Sequence, residues 1–223
     1  MRIAFAAIGC VLVTTTVSTN AEQQESSDFT VCVVPLGKYD KRVVAPVLRG
    51  IEQLYGVEAK RLAVYQLPKE AYYAPRKRYR AEKLLTYLDK KVLPDSGCSR
   101  LIGLTSVDIS TTKDTHKDWG IFGLAQIGGP SGVVSTFRLR RKASRRKLTI
   151  RAIKVVNHEL GHALGSEHVV GKGCLMEDGA GTIKTVDAET GTLCAETIKV
   201  IEKESDLTLP RLSRFDWDRA INP

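Results

Sequence analysis

The chain has 223 residues, 43% of them hydrophobic and 26% charged, with a formal net charge of +9. That length suits one domain with a full core, and the composition excludes a disordered chain or a repeat solenoid. The basic balance raises nucleic acid as a partner, but no recognition motif accompanies it, so none is expected. A solvated face is the plainer reading, with weak attraction to anionic surfaces beside it.

Met1-Arg2 is a short positive start, Ile3 to Val17 is uncharged and mostly apolar, and Ser18-Thr19-Asn20-Ala21 is small or polar. This reads as a secretory signal peptide over residues 1–21, cleaved near Ala21, with an apolar run too short to span a bilayer. The remaining residues, 22–223, are expected to form a single domain in the periplasm or the external medium. Ala7-Ile8-Gly9-Cys10 sits too early in the apolar run to serve as a lipid attachment site. Beyond Cys10 stand Cys32, Cys98, Cys174 and Cys194. An even set in an oxidising compartment suggests two disulfides, and three pairings are open.

Phe29 to Val34 is β-branched and ends at Pro35, as a buried strand does. Val43, Val47, Ile51 and Leu54 recur at helical spacing before Gly56, with Pro46 expected in the first turn. Alternation over Leu62 to Leu67 predicts a second strand closed by Pro68. Leu84, Leu85, Leu88 and Val92 predict a second helix stopped by Pro94, and Leu101 to Leu104 a third strand. The order β-α-β-α-β favours a parallel sheet. Ile121 to Ala125 and Val133 to Leu139, separated by Gly128-Gly129-Pro130, are expected as antiparallel neighbours or edge strands. Ile150, Ile153, Val156, Leu160 and Leu164 give a helical stripe ending at Gly165. After Gly165 the chain is rich in Gly and Thr, with helical stretches expected at Ala195 to Glu204 and near Pro210 to Ala220. The expected class is α/β: a mixed, mostly parallel twisted sheet with an antiparallel edge strand and flanking helices. An N-terminal lobe (about 29–165) and an irregular C-terminal lobe (about 166–223) would meet at the helix ending near Gly165.

Residues 158 to 168 read His-Glu-Leu-Gly-His-Ala-Leu-Gly-Ser-Glu-His. Positions i and i+4 share one helix face, so His158 and His162 can grip one metal from successive turns. Glu159 stands beside the first ligand, near enough to reach a water on the metal. His168, arriving after the turn at Gly165, can complete a three-histidine zinc site with an open position. The eleven-residue pattern is specific, and three of the chain's four histidines fall within it. The fourth, His116, lies in a polar stretch and reads as an exposed residue. This pattern resembles that of the metzincins, zinc peptidases that place a methionine turn beneath the metal. Met176, shortly after His168, stands where that turn is expected.

At these residues the chain is similar to the archaemetzincins. In that family the pattern continues after the third histidine as Cys-x4-Cys-x-Met-x17-Cys-x2-Cys, and the four cysteines hold a second, structural zinc. Here Cys174, Met176 and Cys194 match, whereas Val169 and Thr197 occupy the first and last cysteine positions. Gly103 to Asp108, Phe122 to Ala125, Val133 to Leu139 and Ala74-Pro75-Arg76 with Tyr79 also resemble family segments. Two thiolates cannot close a four-ligand zinc site. Taken with the resemblance, this departure implies a Cys174–Cys194 disulfide in place of the second zinc, accompanied by a Cys32–Cys98 pair. The resemblance further implies a zinc-dependent peptidase with one catalytic ion and a peptide or protein substrate, Glu159 being the general base; a monomer is expected. Its substrate would add to an edge strand that includes Gly120, Gly123 and Leu124, where the glycines admit close backbone approach. Aminopeptidase and endopeptidase readings both stay open. The alternative is a non-catalytic, zinc-containing binding protein on the same scaffold.

Overall fold

The computed structural model describes residues 29–171, 173–178 and 181–222. The expected signal peptide lies outside them. The chain opens with β1 (Thr30–Pro35), α1 (Lys41–Tyr55) and β2 (Glu58–Arg61), followed by β3 (Tyr72–Tyr73), β4 (Arg78–Arg80) and α2 (Ala81–Tyr87). It continues as β5 (Arg100–Thr105), β6 (Ile109–Lys113), β7 (His116–Ile121), β8 (Gly123–Ala125) and β9 (Ser131–Ser135). Helices α3 (Thr136–Leu139), α4 (Arg145–Ala163), α5 (Ile183–Ala188), α6 (Ala195–Ser205) and α7 (Trp217–Ile221) complete it.

The main sheet has the order β2-β1-β5-β9-β8. Its first four strands are parallel, and β8 closes one edge antiparallel to β9, with Leu124 opposite Val133. Side chains alternate between the two faces of a strand, and both faces here are covered. Val31, Val33, Ile102 and Leu104 face a core shared with α1 and α4, while Cys32, Val34, Leu101 and Val133 face a second core with Leu84, Leu85 and Leu88 of and just after α2. The larger core also takes in Leu175, Ile201, Phe215 and Ala220 from the C-terminal third of the chain.

Several expected elements sit elsewhere. The second strand is Glu58–Arg61 rather than residues 62–67, because an edge strand with one buried side chain need not carry an apolar pattern. Helix α1 starts at Lys41, where the Asp40 carboxylate caps the Arg42 amide at 3.1 Å, so Pro46 lies inside the helix, beyond its first turn. The run from Val133 leaves the sheet at Ser135, whose hydroxyl caps α3. Ile121 and Ala125 belong to different sheets, for β7 joins a separate sheet of order β3-β4-β6-β7. The helical stretch expected near Pro210 to Ala220 is confined to α7.

Both basic clusters are partly matched by acids. Arg78 pairs with Asp108 at 2.8 Å and Asp118 at 3.0 Å, Arg138 with Asp108 at 2.7 Å, and Lys147 with Asp187 at 2.9 Å. Cys32 and Cys98 form a disulfide that ties β1 to the chain just before β5, and a second disulfide joins Cys174 to Cys194.

Candidate metal centre

Helix α4 is anchored at both ends. Ser144 caps its first turn, accepting from the Lys147 amide, and Arg100 donates to the Ala163 carbonyl at 3.1 Å. The Tyr55 hydroxyl, kept protonated by complete burial, donates to the Asn157 carbonyl at 2.5 Å, so α1 fixes the turn that bears His158. The chain leaves α4 at Gly165, in a left-handed conformation with φ 99°, and His168 then folds back over the helix.

The three Nε2 atoms of His158, His162 and His168 lie 3.1, 3.2 and 3.2 Å apart. Nδ1 of His158 is 2.7 Å from the Leu175 carbonyl, and Nδ1 of His162 is 2.7 Å from the Ser166 carbonyl. A carbonyl only accepts, so each Nδ1 carries the proton and each Nε2 presents a lone pair to the common point. Burial strengthens this state. It pushes the His158 ring down to about 3, with His162 adding to the effect, and it lowers His162 as well. Lone pairs converging at this spacing repel unless a cation lies between them. Tetrahedral zinc, about 2.0–2.1 Å from each imidazole nitrogen, needs ligand atoms roughly 3.3 Å apart. The residues therefore fit the ion.

Glu159 points to the same cleft, a cavity of about 480 Å³ lined also by Trp119, Gly123, Leu124, Ala125 and Val155. It is 7% exposed, and burial raises its carboxyl to about 8 against the lowering effect of the Ala125 backbone amide that bonds it. Gly123 makes room for this side chain: a Cβ there would lie 2.5 Å from Oε1 of Glu159. Leu124 lies between these two contacts on the edge strand β8. Gly120 has another role. It is on β7, and the Arg138 guanidinium occupies the place its Cβ would take, so its lack of a side chain serves the Arg138–Asp108 pair rather than the cleft.

Met176 is fully buried, in a turn closed by the Glu177 amide donating to the Cys174 carbonyl at 3.1 Å. A Cβ at Gly161, between the first two histidines, would meet its sulfur at 2.5 Å. The Cys174–Cys194 disulfide clamps this turn, and the Thr197 hydroxyl lies 3.7 and 3.2 Å from the two sulfurs. His116, at the start of β7, is exposed and takes no part in the triad. Trp119 and Glu189 are among the cleft residues that had no signal of their own in the sequence. Neither lies in a motif, and only the fold brings them to the histidines.

Three imidazoles converging in an open cleft, on an α/β scaffold with a long helix bearing two of them, define a zinc metallopeptidase centre. Residues 62–203 match peptidase family M54. The chain is 30% identical over 170 residues to an archaemetzincin of Haloarcula marismortui, covering 73% of this chain and 93% of that one. It is 31% identical over 163 residues to an archaemetzincin of Pyrococcus horikoshii, covering 70% and 84%. Among solved structures, an archaemetzincin from Methanopyrus kandleri superposes with a TM-score of 0.65 at 26% identity, over 80% of this chain and 96% of that one. One from Archaeoglobus fulgidus shares the fold, with a TM-score of 0.65 at 24% identity over 77% and 99%. The chain belongs to peptidase family M54, the archaemetzincins, and is a zinc metallopeptidase.

Proposed function

We infer that this peptidase cleaves peptide bonds by direct attack of water, with one catalytic zinc held by His158, His162 and His168 and with Glu159 as general base. When bound, the ion polarises the scissile carbonyl and lowers the pKa of water. The Glu159 carboxylate takes the proton of the attacking water and passes it to the leaving amine. Burial raises the Glu159 carboxyl from the ordinary carboxylate range toward neutral pH, which favours its passing on a proton once it has taken one up. The Ala125 amide and the space left at Gly123 hold this carboxylate in one place.

The substrate lies extended along β8, the end strand of the main sheet, whose outer side has no neighbouring strand among the described residues. Met176 serves as the methionine turn beneath the histidines. The Cys174–Cys194 disulfide stands in for a second metal, and Thr197 fills the space of a fourth cysteine. The protein is exported after cleavage near Ala21, a reading supported by the apolar run of residues 3–17 and by two disulfides that need an oxidising compartment.

The observation that carries the reading is the convergence of three Nε2 lone pairs in the cleft that holds the Glu159 carboxyl. Glu159→Gln tests it. The variant should retain its zinc and its fold while peptide hydrolysis falls by about 10²–10⁴-fold. Hydrolysis at the wild-type rate would refute the role given to Glu159.

A further inference from the structure

Glu189 lines the same cleft and is 7% exposed. Its backbone is fixed: the amide donates to the Thr185 carbonyl at 3.0 Å, and its carbonyl accepts from the Lys154 ammonium. Its carboxylate is not fixed in this way. Among the described residues, no side chain or backbone group bonds it.

The cations nearby are already committed. Lys154 gives its ammonium to the carbonyls of Val186 at 2.8 Å, Asp187 at 3.4 Å and Glu189 itself. Arg151 forks onto the Asp187 carboxylate at 2.7 and 2.8 Å, and Lys147 joins the same acid. A carboxylate nine-tenths buried, with Lys154 near it but bonded to backbone carbonyls, bears a desolvation cost that a ligand can relieve. Burial accordingly pushes the Glu189 carboxyl up to about 8, with Glu177 adding to the rise and Lys154 opposing it.

The surroundings favour a cationic ligand. The chain as a whole is +9, yet Glu159, Glu167, Asp178 and Glu189 line the cleft against Lys113. Val155 and Val186, which line the same cleft, offer apolar walls to an aliphatic stem that ends in a charge. We propose that Glu189 is a specificity-determining residue that receives a positively charged group of the substrate close to the scissile bond. The shared chemistry is an ammonium or guanidinium, brought by a lysine or arginine side chain or by the substrate's own amino terminus. The proposal rests on the peptidase reading above.

The test measures binding apart from turnover. Zinc-loaded Glu159→Gln protein is titrated calorimetrically with four peptides of one sequence. They carry lysine or glutamine next to the central bond, each with a free or an acetylated amino terminus. A side-chain site predicts that acetylated lysine peptide binds about 10–100-fold tighter than acetylated glutamine peptide. A terminal-amine site predicts the same factor between free and acetylated glutamine peptides. Adding Glu189→Gln should collapse whichever preference is found, and adding Glu189→Lys should turn it toward a glutamate-bearing peptide. Equal binding of all four peptides, or a preference that survives Glu189→Gln, overturns the proposal. Failure of the wild-type protein to hydrolyse any of them would instead count against the peptidase mechanism, so the two failures are distinct.

Discussion

Helix α4 and the segment between residues 165 and 194 both deliver groups to the histidine triad, and they are held by different means. On α4 the backbone ladder sets the spacing of His158 and His162, and packing against α1 and the main sheet sets the direction they face. The later segment supplies His168, the Leu175 carbonyl that orients His158, and Met176, and its six-residue helix α5 follows them. It is fastened by side-chain crosslinks: the Cys174–Cys194 disulfide within it, and the Arg151–Asp187 fork and Lys154 knot that tie α5 to α4. A regular helix thus carries ligand geometry in its own backbone, whereas an irregular segment has to borrow it from crosslinks.

The sharpest way to break this contrast is to cut each disulfide in turn. Cys32→Ser with Cys98→Ser opens a crosslink of sequence separation 66 and should cost about 4 kcal/mol on the loop-entropy view. Cys174→Ser with Cys194→Ser, at separation 20, should cost about 3 kcal/mol. The order reverses for the metal. The first pair lies away from the triad and should leave zinc affinity unchanged, while the second loosens Leu175 and should weaken zinc by about 10–100-fold. Urea unfolding and competition with a chelating dye measure both, and equal zinc affinities in the two variants would remove the distinction between the regions.

A local change on the sheet side should act on chemistry and spare the metal. Gly123→Ala places a Cβ 2.5 Å from the Glu159 carboxylate oxygen. Turnover is expected to fall by about 10–100-fold at unchanged zinc content, since a misplaced catalytic group loses about that much. Loss of zinc in this variant would mean that β8 supports the triad rather than the base.

The gentlest effect is that of pH on the zinc-free protein. Glu159 and Glu189 are raised to about 8 from an ordinary 4.5, so the native state holds more protons than the unfolded chain between those values. Their contribution is complete below 4.5 and is lost as pH rises through 8. His158, lowered from 6.5 to about 3, acts in the opposite sense: its contribution is present above 6.5 and is lost as pH falls toward 3. Thermal melts should therefore peak at mildly acidic pH, and Glu159→Gln should flatten the alkaline side. A wild-type curve that keeps rising to pH 9 would contradict this.

The parts of the molecule that were legible in the sequence are those with local rules. The i, i+4 histidines, the Gly165 exit and the short apolar runs of β1, β5 and β9 each announce themselves within a few residues. The second sheet does not, because Arg78-Tyr79-Arg80 and Thr111-Thr112-Lys113 form short strands whose side chains are largely exposed or ion-paired. Helix α5 hides in a Gly- and Thr-rich stretch, since a six-residue helix with one buried side chain has no periodicity to read. Gly120 and Gly123 look alike in the sequence, and only the packing of Arg138 against one and Glu159 against the other separates them. Glu189 was silent for a related reason: a lone acid gains meaning from which cations around it are already engaged.

The proposed single zinc ion on His158, His162 and His168 is what the rest of the site's chemistry depends on. Native mass spectrometry of the purified, non-reduced protein counts bound metal directly. One zinc per chain, lost in His162→Ala while both disulfides persist, is the predicted result. Two ions per chain, or one ion retained after that substitution, would contradict it.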